Sequence, residues 1–342
     1  MNFHFQNKSM KLLNNQKGSL LILVLFALVL LSLLAFSVGH TVQQKLNVVM
    51  RLEARENLRL AAGAAVKQAS VLLSESGGGG SYQSLNQSWS NNEVLWKKAT
   101  IGNSQYSITA SGTPGDSEAI YGLTDEDRKI NLNTAAPGPL QKLFEVAASV
   151  EREEARCIVA AIRDWIDEDE DLNDGGAESK DYSNRKPPYG SKNAIFNDLQ
   201  ELRWVQGITP EIFSKVAPYL TLDGSRVNVN TATQTVLTAM GLNSNIASKI
   251  ISYRKGKDGK EGTADDGVFK DLAEISDVLS RSIFLNEADK QNLDSVFAAG
   301  FSVNSTFFNA AVDAQVNQRQ KIKVNAVLDS AGRVHRWHEE FF

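Results

Sequence analysis

A single apolar run near the amino terminus constrains this chain more than any other feature. Residues 1–18 are polar and contain three lysines, and an uninterrupted apolar run follows from Leu20 to about Val38. A helix needs about 20 apolar residues to cross a bilayer, so the run predicts one transmembrane helix. Because the lysines precede it, we expect the amino terminus to stay in the cytoplasm and the remainder of the chain to be exported.

The junction before the apolar run differs from that of an ordinary signal peptide. A secretory signal has its small-residue cleavage site after the apolar core, whereas Gly18-Ser19 precedes the core here. Cleavage after Gly18 would leave the apolar helix at the start of the mature protein. The junction resembles a type IV prepilin-like leader, which a dedicated peptidase cuts after the glycine before methylating the new amino terminus, here Ser19. A plain uncleaved signal anchor is the alternative.

The fifth residue after this junction departs from the prepilin pattern. Prepilins usually carry glutamate there, whereas this chain has Leu23. In pilin filaments the glutamate neutralises the amino terminus of the subunit ahead, and a carboxylate at lipid depth persists only with a partner. A subunit with nothing ahead of it has no such amine to neutralise. Leu23 therefore fits a tip subunit, and a non-pilin anchor would show the same residue.

Beyond the membrane run, the pattern predicts a helix packed on a small antiparallel sheet. Apolar residues recur every three or four positions from Leu58 to Leu72, which indicates a continuing helix, and the glycine-rich stretch 77–81 would end it. Strands are predicted at Tyr106–Ser111, Ala119–Leu123, Phe301–Phe308, Lys321–Leu328 and Arg333–His338, with turns at 113–116 and 329–332.

A mostly helical stretch separates the two groups of predicted strands and contains an internal echo. The sequence INLNTA at Ile130–Ala135 recurs as VNVNTA at Val227–Ala232, and helical patterns follow each copy. This looks like the helix-hairpin-helix repeat of competence proteins, whose Gly-x-Gly hairpin presents backbone N–H groups to a phosphate. Because Asn243 stands two residues after Gly241, where a second glycine is expected, we predict a scaffold that binds no nucleic acid. A DNA-uptake protein is the alternative.

The predicted fold is α+β, with a pilin-like long helix on an antiparallel sheet and a large helical insert that contains the helix-hairpin-helix-like repeats. The predicted segments are a leader at 1–18, the transmembrane and extended helix at 19–76, the first part of the α/β domain at 77–130, the insert at 131–299 and the closing strands at 300–342.

A dense acidic segment lies inside the insert. Eight carboxylates occur from Asp164 to Glu178 with no lysine or arginine among them. Such crowding raises the pKa of each group unless a cation lies between them. Asp167, Asp169 and Asp171 alternate, so that a loop could aim their oxygens at one point, and hard oxygen ligands in a flexible loop suit Ca²⁺. A solvated acidic surface is the alternative.

A second acidic loop spans residues 258–267 and contains Asp258, Asp265 and Asp266. It is a weaker candidate metal site because its own lysines could neutralise it.

Composition and motifs argue against an enzyme and against a polyanion-binding protein. The net charge is −4, and the chain has four histidines and one cysteine. It contains neither a Gly-x-Ser-x-Gly nor a His-Glu-x-x-His motif. We therefore expect a structural protein with no small-molecule substrate.

Together these motifs resemble the K-type minor pseudopilins of type II secretion (general secretion pathway protein K). The residues that carry the resemblance are Gly18-Ser19, Asp125–Asp127 with Ile130–Thr134, Asp164–Asp167, Gly176–Glu178 with Asp181-Tyr182, Glu201–Arg203 with Gly207-Ile208, Val227–Ala232 and Phe301–Ser305. A minor pilin of a type IV pilus is a further alternative, and the helical insert favours the secretion branch.

The resemblance implies a single-pass inner-membrane protein with its carboxyl-terminal domain in the periplasm, processed by the prepilin peptidase. It implies a complex with other minor pseudopilins at the pseudopilus tip, where the subunit caps the filament, initiates assembly and supports export of folded proteins across the outer membrane. It also implies Ca²⁺ in the insert, with ligand roles for Asp167, Asp169, Asp171, Glu178 and Asp181.

Overall fold

The computed structural model describes residues 16–77, 82–110, 119–282, 285–316 and 320–342. The predicted leader up to residue 15, most of the glycine-rich stretch and the predicted turn at 113–116 lie outside these ranges. The chain divides into two compact units, one ending at Glu56 and the other running from Asn57 to Phe342.

Helix α1 confirms the long amino-terminal helix and runs from Gln16 to Gly77. In the first unit its large apolar side chains from Leu20 to Val38 are exposed. Burying apolar surface stabilises a protein by roughly 25 cal/mol per Å², so a helix of this kind is unfavourable in water. It is long and apolar enough to cross a membrane.

In the second unit α1 packs its small side chains inward. Ala62, Ala65 and Ala69 are fully buried, as is Leu58, which confirms most of the predicted stripe. The stripe ends one residue later than predicted, because Leu73 is buried and Leu72 is only partly so. Alanines at these positions let the helix approach the strands closely.

The remaining helices are short and lie mostly in the insert. Their bounds are α2 Glu93–Trp96, α3 Pro137–Ala148, α4 Arg152–Ile166, α5 Ser179–Tyr182, α6 Pro210–Val216, α7 Gln234–Ala239, α8 Ser244–Arg254, α9 Ile275–Ser282 and α10 Glu287–Gly300, with 3₁₀ turns at 126–128, 199–204, 217–219 and 272–274.

The described strands form one seven-stranded sheet and two separate strand pairs. Their bounds are β1 Ala99–Ile101, β2 Ser104–Ala110, β3 Ile120–Tyr121, β4 Thr124–Asp125, β5 Ile130–Asn131, β6 Leu220–Thr221, β7 Val227–Asn228, β8 Phe301–Ser302, β9 Phe307–Val316, β10 Gln320–Asp329 and β11 Val334–Phe341.

The large sheet is antiparallel in the order β1-β2-β9-β10-β11, with β3 paired to β2 and β4 paired to β9. Helix α1 crosses it, since Tyr106 of β2 donates to Gln68 at 2.7 Å and Glu339 of β11 forms an ion pair with Arg59 at 2.6 Å. This arrangement confirms the predicted helix-on-sheet fold.

One predicted strand is wrong. Residues Phe301–Phe308 do not form a single strand, because β8 pairs in parallel with β7 inside the insert while β9 begins at Phe307 in the large sheet. The backbone between them turns, and Ser305 Oγ donates to the buried Asp125 carboxylate at 2.6 Å. Strand β9 then continues to Val316, well past the predicted end.

The sequence echo corresponds to two equivalent parts of the insert. The backbone nitrogen of Leu132 donates to Thr221 O and that of Val229 donates to Ser302 O, both at 2.9 Å. In each copy an asparagine side chain makes two hydrogen bonds with the backbone of a distant phenylalanine. Its Oδ1 atom accepts from the phenylalanine nitrogen, and its Nδ2 atom donates to the phenylalanine oxygen. The pairs are Asn133 with Phe196 and Asn230 with Phe269. These clamps account for the asparagine that both copies share in Asn-Thr-Ala, and the helix-hairpin-helix assignment stays a prediction.

Candidate metal centre

The candidate metal centre begins where α4 ends. The buried face of α4 carries Ile158, Ile162 and Trp165, which anchor the helix in the core of the insert. Asp167 caps the helix in an extended conformation, so the acidic segment leaves the helix directly from its buried end. The core therefore determines where the segment starts.

Asp164 closes the acidic loop from inside the protein. Its side chain is fully buried, and its Oδ1 atom accepts hydrogen bonds from the backbone and the side chain of Asn173. Its Oδ2 atom accepts from the backbone nitrogen of Ala177 at 2.8 Å. Gly176 leaves room for this contact, because a Cβ atom there would lie 1.9 Å from Oδ2. In the sequence, Asp164 belongs to the acidic run and to the Asp164–Asp167 motif, and neither pattern marks its carboxylate as buried.

Three of the predicted ligands converge. Asp167, Asp169 and Glu178 each offer a carboxylate oxygen, and these oxygens lie within 4.8 Å of one another. Glu178 is only 4% exposed, whereas Asp167 is half-buried and Asp169 is exposed. Among the described residues, no other group of three or more acidic, histidine or cysteine side chains meets this spacing.

The electrostatics of the site favour a positive charge. Burial raises the pKa of Asp167, and repulsion from Asp169 and Asp164 adds to it. Burial also raises the pKa of Glu178, with a hydrogen bond from Ser191 opposing it. Carboxylates whose pKa is raised in this way are stabilised either by a bound proton or by a nearby cation.

Two buried oxygens of the group have no hydrogen-bond partner. They are Oδ1 of Asp167 and Oε1 of Glu178. A buried acceptor without a partner costs about 1–3 kcal/mol, and more when it is charged, so such atoms indicate a missing partner. Hard carboxylate oxygens suit Ca²⁺ better than metals that prefer nitrogen or sulfur ligands. The residues therefore fit a calcium ion.

The other two predicted ligands do not join this group. The backbone nitrogen of Asp171 donates to Asp169 Oδ1 at 2.9 Å, while the Asp171 side chain is exposed. Asp181 lies in α5, where its Oδ2 atom accepts from the Glu178 backbone nitrogen at 3.1 Å. It therefore supports the backbone of Glu178.

The second acidic loop is organised by hydrogen bonds to its own backbone. Asp265 Oδ2 accepts from the nitrogens of Lys257 and Asp258 at 2.7 and 3.2 Å. Asp266 Oδ2 accepts from Gly262 N at 2.7 Å. Asp258, Asp265 and Asp266 form no metal-binding group among the described residues, and their carboxylates shape the loop instead.

The predicted processing residues lie in α1. Gly18, Ser19 and Leu23 are all exposed in the first turns of the described helix.

Comparison with known proteins points to one family. Residues 120–223 match the family model of type II secretion system protein K. The proteins K of Pectobacterium carotovorum and Aeromonas hydrophila are 33% and 40% identical over 30% and 24% of this chain, and the matches cover 32% and 26% of those proteins. Protein K of Klebsiella pneumoniae is 26% identical over 64% of this chain and 67% of its own length.

The fold also matches a solved structure. It resembles a chain in the crystal structure of the GspK-GspI-GspJ complex from the type 2 secretion system of enterotoxigenic Escherichia coli, with a TM-score of 0.62. That match covers 84% of this chain and 96% of the other at 20% identity. The family model and the curated relatives together support a type II secretion protein K, the family that the sequence resembles, and the solved structure shares the fold of this chain.

Proposed function

We propose that this chain is a structural subunit of a type II secretion pseudopilus, anchored in the inner membrane and assembled with other minor pseudopilins at the filament tip. The observation that carries the proposal is the continuity of α1. One helix presents an exposed apolar surface in its first part and packs small residues on an antiparallel sheet in its last part. A subunit with this design can be stored in a membrane and transferred into a helical filament.

The tip position is supported by Leu23. A subunit inside the filament would be expected to pair a carboxylate with the amine of the next subunit, and an apolar side chain at this position makes no such pair. Capping the filament, initiating its assembly and supporting export of folded proteins are the roles that we propose for such a subunit. The lysines before the helix favour a periplasmic carboxyl-terminal unit.

We also propose that the insert binds Ca²⁺ through Asp167, Asp169 and Glu178. The unpaired buried oxygens of two of these residues support the proposal. In this role the ion neutralises the acidic segment and stabilises the insert. Neither proposal involves catalysis.

The partner proposal is tested by isolating the full-length chain from detergent-solubilised membranes that also contain the other minor pseudopilins. Within the second unit, Leu60 and Val71 of α1 are 67% and 40% exposed, which offers a surface for partner helices. We expect a stable complex with the wild-type chain and its loss in Leu60→Glu and Val71→Glu.

Val94→Glu is the matched control, because Val94 is 93% exposed and lies outside α1. It should leave the complex intact. Failure of the wild-type chain to retain any other minor pseudopilin would refute the proposed role.

A further inference from the structure

A cavity of about 430 Å³ is lined by both echoed segments and lies outside the two acidic loops. Its lining comes from the segment 129–139, from the segment 223–227 that leads into the second copy, and from Met240 and α10. Asn131 Nδ2 donates to Gly224 O at 2.7 Å and so joins the first two of these segments. The volume lies within the range of small-molecule sites, about 300–1,000 Å³.

One part of the lining is apolar and adaptable. It consists of Ala135, Pro139, Met240 and Val296, all of which are only partly buried. Met240 packs over Gly300, since a Cβ atom there would lie 2.7 Å from the Met240 Cε atom. A methionine side chain is flexible and fills irregular spaces, so this part of the cavity suits an apolar group.

The charged residues of the lining are paired, with one exception. Lys129 forms an ion pair with Glu126 at 2.8 Å, and Asp223 forms one with Arg336 of β11. Arg226 is exposed and makes no hydrogen bond or ion pair with any other residue that the structure describes. Its guanidinium is therefore free to bind an anion at the cavity.

Asp127 is the remaining acid of the lining, and it offsets this positive charge only in part. Its Oδ2 atom already accepts from Thr306 Oγ1 at 2.6 Å. Burial, together with repulsion from Asp125, raises the pKa of Asp127 to about 7. Asp127 thus carries less than a full negative charge near neutral pH, and the cavity keeps an excess of positive charge.

The polar part of the lining also contains the exposed hydroxyl residues Thr134 and Ser225. Hydroxyl and guanidinium groups donate hydrogen bonds to carboxylates, and the bond from a guanidinium is charge-assisted. We propose that the cavity binds a small apolar carboxylic acid, with its carboxylate at Arg226 and its apolar group against Met240 and Val296. The acid is either a free molecule or the carboxyl terminus of a peptide whose last side chain is apolar. The site is a binding site without catalysis and does not depend on Ca²⁺.

The test is fluorine NMR titration of para-fluorophenylacetate with the full-length chain in detergent, with the same detergent without protein as the blank. We expect saturable broadening of the fluorine signal with the wild type. Arg226→Gln removes the charge from an exposed position and should weaken binding by about tenfold or more. Arg152→Gln is the matched control, because Arg152 is also exposed but lies outside the cavity, and it should bind the acid as the wild type does.

Two further probes separate the role of charge and the source of the acid. The neutral para-fluorophenylacetamide should bind the wild type more weakly than the acid does, and Arg226→Gln should not change its affinity. N-acetyl-para-fluorophenylalanine represents a peptide terminus, and tighter binding of it than of para-fluorophenylacetate would identify a peptide as the source, whereas the reverse order would identify a free acid.

Equal affinity of the wild type and Arg226→Gln for para-fluorophenylacetate would overturn the assignment of Arg226 as the carboxylate-binding residue. If neither acid gives saturable broadening with the wild type up to millimolar concentration, the cavity is not a site of this kind.

Discussion

The backbone nitrogen of Ala177 donates a hydrogen bond to Oδ2 of Asp164 across 2.8 Å. Asp164 lies in the last turn of α4 and Ala177 lies near the end of the acidic segment, and Asp164 Oδ1 accepts from Asn173 between them. The fully buried carboxylate of Asp164 thus accepts hydrogen bonds from backbone N–H groups of the segment, at Asn173 and Ala177. Asp164 holds the backbone of this segment whether or not a metal is bound, and this backbone places Asp167, Asp169 and Glu178 close together.

We predict that Asp164→Asn destabilises the protein by about 1–3 kcal/mol, because an amide nitrogen would face a backbone N–H group and leave a buried donor unpaired. Asp174→Asn is the control: its carboxylate is 95% exposed and pairs with Arg156 on the surface, where an ion pair contributes about 0–1 kcal/mol. Urea denaturation followed by tryptophan fluorescence measures both variants. Equal midpoints for the two variants would contradict the role assigned to Asp164.

The sequence predicts those parts of the fold that local pattern controls. The apolar run and the alanine stripe predict α1, and the last two strands with their turn at Asp329–Gly332 form the hairpin that was expected. The prediction of one strand over Phe301–Phe308 was wrong because β-propensity does not reveal which strand a segment pairs with. Strand β8 pairs with β7 of the insert, and β9 pairs within the large sheet.

The sequence predicts that the candidate site consists of carboxylates, but it does not predict which of the acidic residues lie together. Alternating acids in the sequence do not distinguish a carboxylate that points to a common centre from one that accepts backbone N–H groups, as Asp265 does. The echoed Asn-Thr-Ala motif could have indicated the two asparagine clamps.

Leader processing should depend on Gly18. We predict that Gly18→Val blocks cleavage, because the peptidase must reach the chain next to a residue that has no side chain. Mass spectrometry of the mature amino terminus measures this, and in the wild type we expect a methylated Ser19. Leu23→Val is the control and should be processed normally. An intact Met1 in the assembled wild-type protein would exclude the proposed cleavage.

The insert should not bind DNA usefully. The turn between α7 and α8 has Asn243 as the helix cap, and its side-chain oxygen accepts from the backbone nitrogens of Asn245 and Ile246 at 2.8 and 3.4 Å. These N–H groups are the ones a phosphate would need. We expect no duplex binding at submicromolar concentration in anisotropy titrations. Tight binding that falls steeply with salt would show that the phosphate site is intact.

Calcium should raise the melting temperature of the full-length chain. An ion that binds only the folded state stabilises it by roughly 2.7 kcal/mol at a hundred times its dissociation constant. We expect a lower melting temperature in chelator and a loss of most of this difference in Asp167→Ala or Asp169→Ala. Asp171→Ala, whose carboxylate is outside the group, should keep it. Mg²⁺ should substitute poorly, because it requires a tighter octahedral shell.

Equal melting temperatures in chelator and in calcium up to millimolar concentration would leave the acidic segment as a solvated surface. In that case the unpaired oxygens of Asp167 and Glu178 would have to be satisfied by water or by protons.

A second group of buried carboxylates joins the sheet to the insert. Asp125 Oδ2 accepts from Ser305 Oγ at 2.6 Å and from Thr231 Oγ1 at 2.5 Å. Asp127 Oδ2 accepts from Thr306 Oγ1 at 2.6 Å and from its backbone nitrogen. Burial raises the pKa of both groups, and repulsion from Asp125 further raises the pKa of Asp127, which reaches about 7.

This pKa makes stability depend on pH in a defined direction. An unfolded aspartate titrates near pKa 3.9, so between about pH 4 and 7 the folded state holds a proton that the unfolded state releases. The contribution of Asp127 to the free energy of unfolding therefore falls as pH rises through this window and levels off above about pH 7. Asp127→Asn keeps an acceptor oxygen for Thr306 but cannot ionise, so it should make the decline shallower, and the part that Asp125 contributes should remain. Urea midpoints measured across the window test this, with the exposed Asp174→Asn as the control. An Asp127→Asn variant with the same slope as the wild type would show that Asp127 is ionised throughout the window.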